Sequence, residues 1–165
     1  MKKLVVALAI LIAIGAAWYA FRPEKLFTNQ RVNEQLPSAR TSKESTKVAS
    51  GQFHNGAHDT KGTATTFQLA DGKKMLRLSD FETSNGPDVH VYLVAADDAK
   101  DSDTVTRAGF VELGSLRGNI GDQNYDLPAT VDLNKFRAVT IWCKRFSVNF
   151  GTAPLMNDSM QSMNR

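Results

Sequence analysis

The sequence predicts an all-β protein, a single β-sandwich domain preceded by an N-terminal transmembrane helix. Three observations carry that expectation. An uncharged apolar run opens the chain, and short β-branched and aromatic runs separated by Gly, Asn, Asp and Pro follow it. No later segment keeps a helical period over about 12 residues.

After Lys2 and Lys3, residues 4–21 carry no formal charge, close to the ~20 residues a helix needs to cross the hydrocarbon core. Trp18, Tyr19 and Phe21 close the run as an interfacial aromatic belt would, where a cleaved signal would end in small residues. Residues 1–21 are therefore read as an uncleaved signal anchor, single-pass in the cell membrane, with the lysines inside and the rest of the chain extracytoplasmic. Cleavage after Ala20 is the alternative and would give a secreted form.

Residues 22–49 mix Arg22, Lys25, Arg31, Arg40, Lys43 and Lys47 with Glu24, Glu34 and Glu44 among Ser, Thr, Asn and Gln. That is tether composition, and a flexible linker of this length would let a domain stand roughly 30 Å from the bilayer. About 105 residues remain for one core, 50–155, before a disordered tail at 156–165. The whole chain carries +3, yet residues 50–155 hold 11 Lys and Arg against 13 Asp and Glu, a net of −2. The basic excess thus flanks the anchor, where lipid headgroups explain it, and no nucleic-acid partner is expected.

Within the domain, Asp71-Gly72 suits a tight hairpin turn between a run with Thr65, Phe67 and Leu69 in alternation and one with Leu76 and Leu78. Asn85-Gly86-Pro87-Asp88 reads as a turn into a strand from Val89 to Ala95. Val89, Val91 and Leu93 share one face of it, and His90 and Tyr92 take the other. The acidic stretch Asp97, Asp98, Asp101 and Asp103 reads as a loop, and Phe110–Leu113 as a short strand. Asn119–Pro128 reads as turn-rich, with Tyr125 packing. Ala138–Lys144 and Phe146–Phe150 read as the last strands, in a sandwich of about seven.

Cys143 is the one cysteine, so no internal disulfide is available. On a regular strand it shares a face with Val139 and Ile141, which favours a buried, inert thiol. The functional alternative is a reactive thiol or metal ligand at the strand end, aided by Arg145. His54, His58 and His90, with Cys143 and Met156, are the candidate metal ligands and bring copper to mind. Copper or haem remains unsupported by the spacing, because Lys144, Arg145 and Phe146 follow the cysteine where a blue-copper loop would place a His and a Met. Asp122, Asn124 and Asp126 open like a calcium loop, but Leu127 and Leu133 occupy the positions of its Gly and Glu. A looser calcium site would have to draw on Asp88 or the acidic stretch. No phosphate-binding glycine loop, nucleophile elbow or zinc-protease motif is present, so a stand-alone enzyme has no positive support.

Over residues 50–155 the sequence resembles the DM-thirteen domain, a family found beside DOMON domains and cytochrome-type membrane modules and described as electron-transfer. The resemblance rests on Gly51-Gln52-Phe53-His54, His58-Asp59 and Gly62, on Leu76-Arg77-Leu78 with Asp80-Phe81, and on Asn85 through Leu93. It continues through Leu113-Gly114-Ser115-Leu116 and Gly118 through Tyr125 to Val139-Thr140-Ile141-Trp142-Cys143, Phe146, Phe150 and Ala153. It implies a DOMON-like sandwich with Cys143 as the redox residue, and a redox partner protein that this chain does not itself carry. Asn85, Asp88, His90 and Trp142 are the candidate binding residues. The alternative function is a non-catalytic ligand-binding or adhesion sandwich in which Cys143 is core.

Overall fold

The computed structural model describes residues 2–21, 28–36 and 45–157. Helix α1, Lys2–Phe21, is apolar on every side, and its stretch Lys2–Tyr19 is not buried against the rest of the chain. It is long and apolar enough to cross a membrane.

Among the described residues ten strands follow: β1 Arg31–Asn33, β2 Thr46–Gln52, β3 His54–Asn55, β4 Thr60–Gln68, β5 Lys74–Thr83, β6 Val89–Val94, β7 Phe110–Ser115, β8 Ile120–Leu127, β9 Ala138–Cys143 and β10 Val148–Pro154. A short helix, α2, spans Ser102–Ala108 between β6 and β7. One sheet has the order β1-β8-β5-β4-β2 and the other β3-β10-β9-β6-β7. Their facing sides share one core, in which Leu76, Leu78, Tyr125 and Leu127 of the first sheet meet Val91, Leu93, Val139, Ile141 and Phe150 of the second.

The alternation in β6 holds: Val89, Val91 and Leu93 face this core, and Tyr92 joins a smaller cluster behind the sheet. The hairpin at Asp71-Gly72 also forms, pairing Gln68 with Lys74. Strand β4, however, turns Ala64 and Thr66 inward and leaves Thr65 and Phe67 half-buried on its outer side. Gly62, at φ +110°, lies within a register shift near the start of β4, and a one-residue irregularity of this kind moves every later side chain to the other face.

Four further readings change. The linker is not wholly a tether, because β1 joins the first sheet beside β8 and β2 begins at Thr46. The other linker residues, 22–27 and 37–44, lie outside the described residues, as does the tail from 158; Met156 still pairs with Ser50. The acidic stretch ends in α2, where Asp101 caps the helix by accepting from the Thr104 amide and Asp103 pairs with Arg107 one turn on. Seven residues with Val105 as the buried one are too few to show a period.

The run at Asn119–Pro128 is strand β8, between β1 and β5. Its polar residues have partners: Arg77 on β5 binds Asp122 and Asn124, and buried Gln123 accepts from the Tyr125 hydroxyl at 2.7 Å. The final strand begins at Val148 and runs on to Pro154, leaving Phe146 exposed in the preceding turn.

Ile141 is fully buried on the central strand β9. Ile141→Ala should lower the unfolding free energy by roughly 2–5 kcal/mol in a denaturant titration. A loss below ~1 kcal/mol would mean that the two sheets do not close on this residue.

Candidate functional site

A cleft of about 420 Å³ opens at one end of the sandwich. Its walls are Thr28–Gln30 from the segment before β1, Ser84–Asp88 from the β5–β6 connection, and Ser115 at the end of β7 with Leu116, Gly118 and Asn119 of the β7–β8 connection. Asn29 ties the walls together, since its Oδ1 accepts from Asn85 Nδ2 at 2.9 Å and from Asn119 Nδ2 at 3.0 Å. Asn119 Oδ1 accepts from the Gln30 amide at 2.7 Å. Val89 and Leu116 supply apolar lining.

Gly86 is required for this packing. A Cβ there would lie 2.5 Å from Val89 Cγ2 and 3.0 Å from the Phe150 ring. Pro87 and Asp88 make the turn into β6, and Asp88 O accepts from the Lys144 amide just after β9. The end of β9 is thereby pinned beside the cleft.

Cys143 is 0 % exposed and lies in the main core with Val139 and Ile141. It pairs directly with Val89 on one side and with Val148 on the other. Side chains opposite one another in antiparallel strands are neighbours on the same face. The sulfur is thus one side chain behind the cleft lining. Arg145 sits in the exposed turn after β9 and does not share the buried face of Cys143.

Of the candidate binding residues, Asn85 and Asp88 line the cleft, while His90 and Trp142 lie outside it on the back of the second sheet. The His90 side chain is 12 % exposed, with Nε2 2.8 Å from Asp88 Oδ1. Its Nδ1 approaches Glu112 to 2.7 Å without the alignment of a hydrogen bond. The two carboxylates therefore address different ring nitrogens. Trp142 is buried, and Tyr92 stacks between it and Phe110.

The remaining histidines are also apart. His58 rests on the Phe150 ring, with centroids 3.8 Å apart. His54 Nε2 contacts Asp98 Oδ1 at 2.7 Å, and its Nδ1 faces Asn55 O. Among the described residues no group of three His, Cys, Asp or Glu side chains converges as a metal site. His54, His58, His90, Cys143 and Met156 do not fit a shared copper or haem site.

A family profile described as Electron transfer DM13 matches residues 52–155. The chain belongs to the DM13 electron-transfer family. Comparisons with curated proteins and with solved structures gave no match. The DM13 region begins at the last residue of β2 and ends one residue beyond β10, so it contains Cys143 and two of the cleft walls. The Asn29 wall lies upstream of it, in a segment whose composition gave no signal of structure. Asn119 does fall within the DM13 motif, but its run of Asn, Asp and Gly concealed a strand.

His54 gives a pH test of the Asp98 contact. Burial, the largest influence, pulls its pKa down, but the hydrogen bonds accepted by Asp98 and by Asn55 O, with the Asp98 charge, together outweigh it, and the ring titrates above its ordinary value. The associated stability is fully present below the unfolded pKa of about 6.5 and is lost as pH rises through the folded value. Asp98→Asn should bring the His54 pKa down in an NMR titration and should destabilise the protein more at about pH 5 than at about pH 8.5. An equal loss at both pH values would contradict the contact.

Proposed function

We propose that this DM13 chain is a membrane-tethered extracytoplasmic domain that takes part in electron transfer. Its cleft receives the partner, and Cys143, behind Val89, is its redox residue. The observation that carries this reading is the placement of the one thiol directly across from a cleft-lining side chain. The apolar helix at the N-terminus supports the tether, and Lys2 and Lys3 before it support an N-terminus held inside. The two-layer core agrees with a DOMON-like ancestry for the fold.

A lone thiol cannot close a disulfide with itself. Its thiolate can attack a disulfide of the partner, whose S–S bond breaks to release one sulfur as a thiolate and leave a mixed disulfide, or attack a peroxide, whose O–O bond breaks to release water and leave a sulfenic acid. Either reagent must reach the sulfur, so Val89 has to move aside during the cycle.

The complete burial of Cys143 favours a second reading, a ligand-binding or adhesion sandwich in which the thiol is core. The two separate on the full chain purified in detergent and treated with oxidised glutathione, natively and in denaturant, with intact mass as readout. The redox reading predicts native glutathionylation at Cys143, abolished by Cys143→Ser. Modification only after unfolding would overturn it and leave the binding module.

A further inference from the structure

We infer that the edge of β8 opposite β5 is a binding site for an extended, glutamate-bearing peptide strand, filled in this chain by its own residues 29–35. This goes beyond the electron-transfer reading and does not rest on it. The segment lies outside the DM13 region, yet its contacts are those of a recognised ligand. It pairs in parallel with β8, Arg31 opposite Ile120 and Asn33 opposite Asp122, with the Glu34 amide donating to Asp122 O at 2.9 Å.

Recognition concentrates on Glu34. Its Oε1 meets the Arg117 guanidinium and its Oε2 accepts from the Asn124 amide at 2.9 Å, while Arg77 donates to its backbone carbonyl at 3.0 Å. Burial would raise its pKa, but the Arg117 and Asn124 contacts outweigh this and hold it below the usual carboxylate range. Further along, Asn124 Nδ2 donates to Gln35 O at 3.1 Å.

Two glycines shape the acceptor. A Cβ on Gly118 would meet Gln30 O at 2.5 Å and Val32 Cγ2 at 2.7 Å, and a Cβ on Gly121 would meet Val32 O at 2.0 Å. At both positions the three nearest atoms all belong to the segment.

The bound segment is also separable. Val32 is half-buried and the residues around it are mainly exposed, so little apolar surface holds it. The entropy of ordering each residue is comparable with the net gain from one hydrogen bond. An element balanced in that way opens locally without unfolding the core. Strand addition at such an edge takes its affinity from the backbone and its specificity from side-chain contacts, here the Glu34 site.

The test uses the full chain and a fluorescent synthetic peptide of residues 28–36. Glu34→Ala removes the recognised side chain and leaves the acceptor intact, whereas Gly118→Ala places a methyl group where the segment lies. Exchange of the residue-34 amide should speed up at least tenfold in both variants, while core amides such as Ile141 stay protected. The peptide should bind the Glu34→Ala chain at least tenfold more tightly than the unmodified chain, whose own segment competes. Adding Gly118→Ala to that variant should abolish binding.

Arg117→Glu, at an exposed side chain, provides a second way to remove recognition should Gly118→Ala fail to fold. Unchanged exchange at residue 34 in the variants would overturn the proposal. So would failure of the peptide to bind the Glu34→Ala chain.

Discussion

Strand β9 has no solvent face. All six residues from Ala138 to Cys143 are buried, so the strand is stable only if both sides of its sheet are covered. The first sheet covers the side carrying Val139, Ile141 and Cys143. The other side carries Trp142 with Tyr92 and Val94, and Ala99 and Val105 of the β6–β7 connection pack on it. Thr140, also buried, bonds Thr152, whose hydroxyl reaches Ala99 O at 2.8 Å, and Asn149 donates to the same carbonyl. Thr140, Thr152 and Asn149 thus all have partners, which is what makes their burial tolerable.

From this constraint follow the positions of Cys143 and of the cleft. Central placement of β9 sets its end against the start of β6, so Cys143 faces Val89 and the cleft lies just beyond. The cleft in turn depends on a segment outside the DM13 region, since Asn29 bridges Asn85 and Asn119. The docked segment also limits reach: seven residues separate the end of α1 from Asn29, at most about 25 Å when fully extended. An anchored α1 would therefore keep the cleft near the bilayer surface, closer than the unstructured linker would impose.

The apolar runs were the legible part. β5, β6 and β9 carry their own signal because their side chains face a core, and the Asp71-Gly72 hairpin follows from turn chemistry alone. β8 was hidden because its polar residues answer to partners distant in sequence, Arg77 and Glu34, which local pattern cannot reveal. β1 was hidden for a stronger reason: three residues without an apolar face form a strand only because an edge with two glycines accepts them. Cys143 was placed on the correct face by alternation, and its membership of the DM13 motif was readable. Its relation to the cleft was not, since that depends on the register between β6 and β9. The same register separates Asn85 and Asp88, which line the cleft, from His90 and Trp142, which point to the far side of the sheet.

Cys143 lies opposite Val89 of the cleft lining, and that placement can be measured directly. Replacing Val89 with Ala opens the lining without touching Cys143, and the rate of native iodoacetamide alkylation at Cys143 then reports the path from cleft to sulfur. A rise of at least tenfold, with the unfolding midpoint still well above the assay temperature, is the result this structure predicts. An alkylation rate indistinguishable from that of the unmodified chain would place Cys143 out of reach of the cleft and contradict the proposed redox role of Cys143.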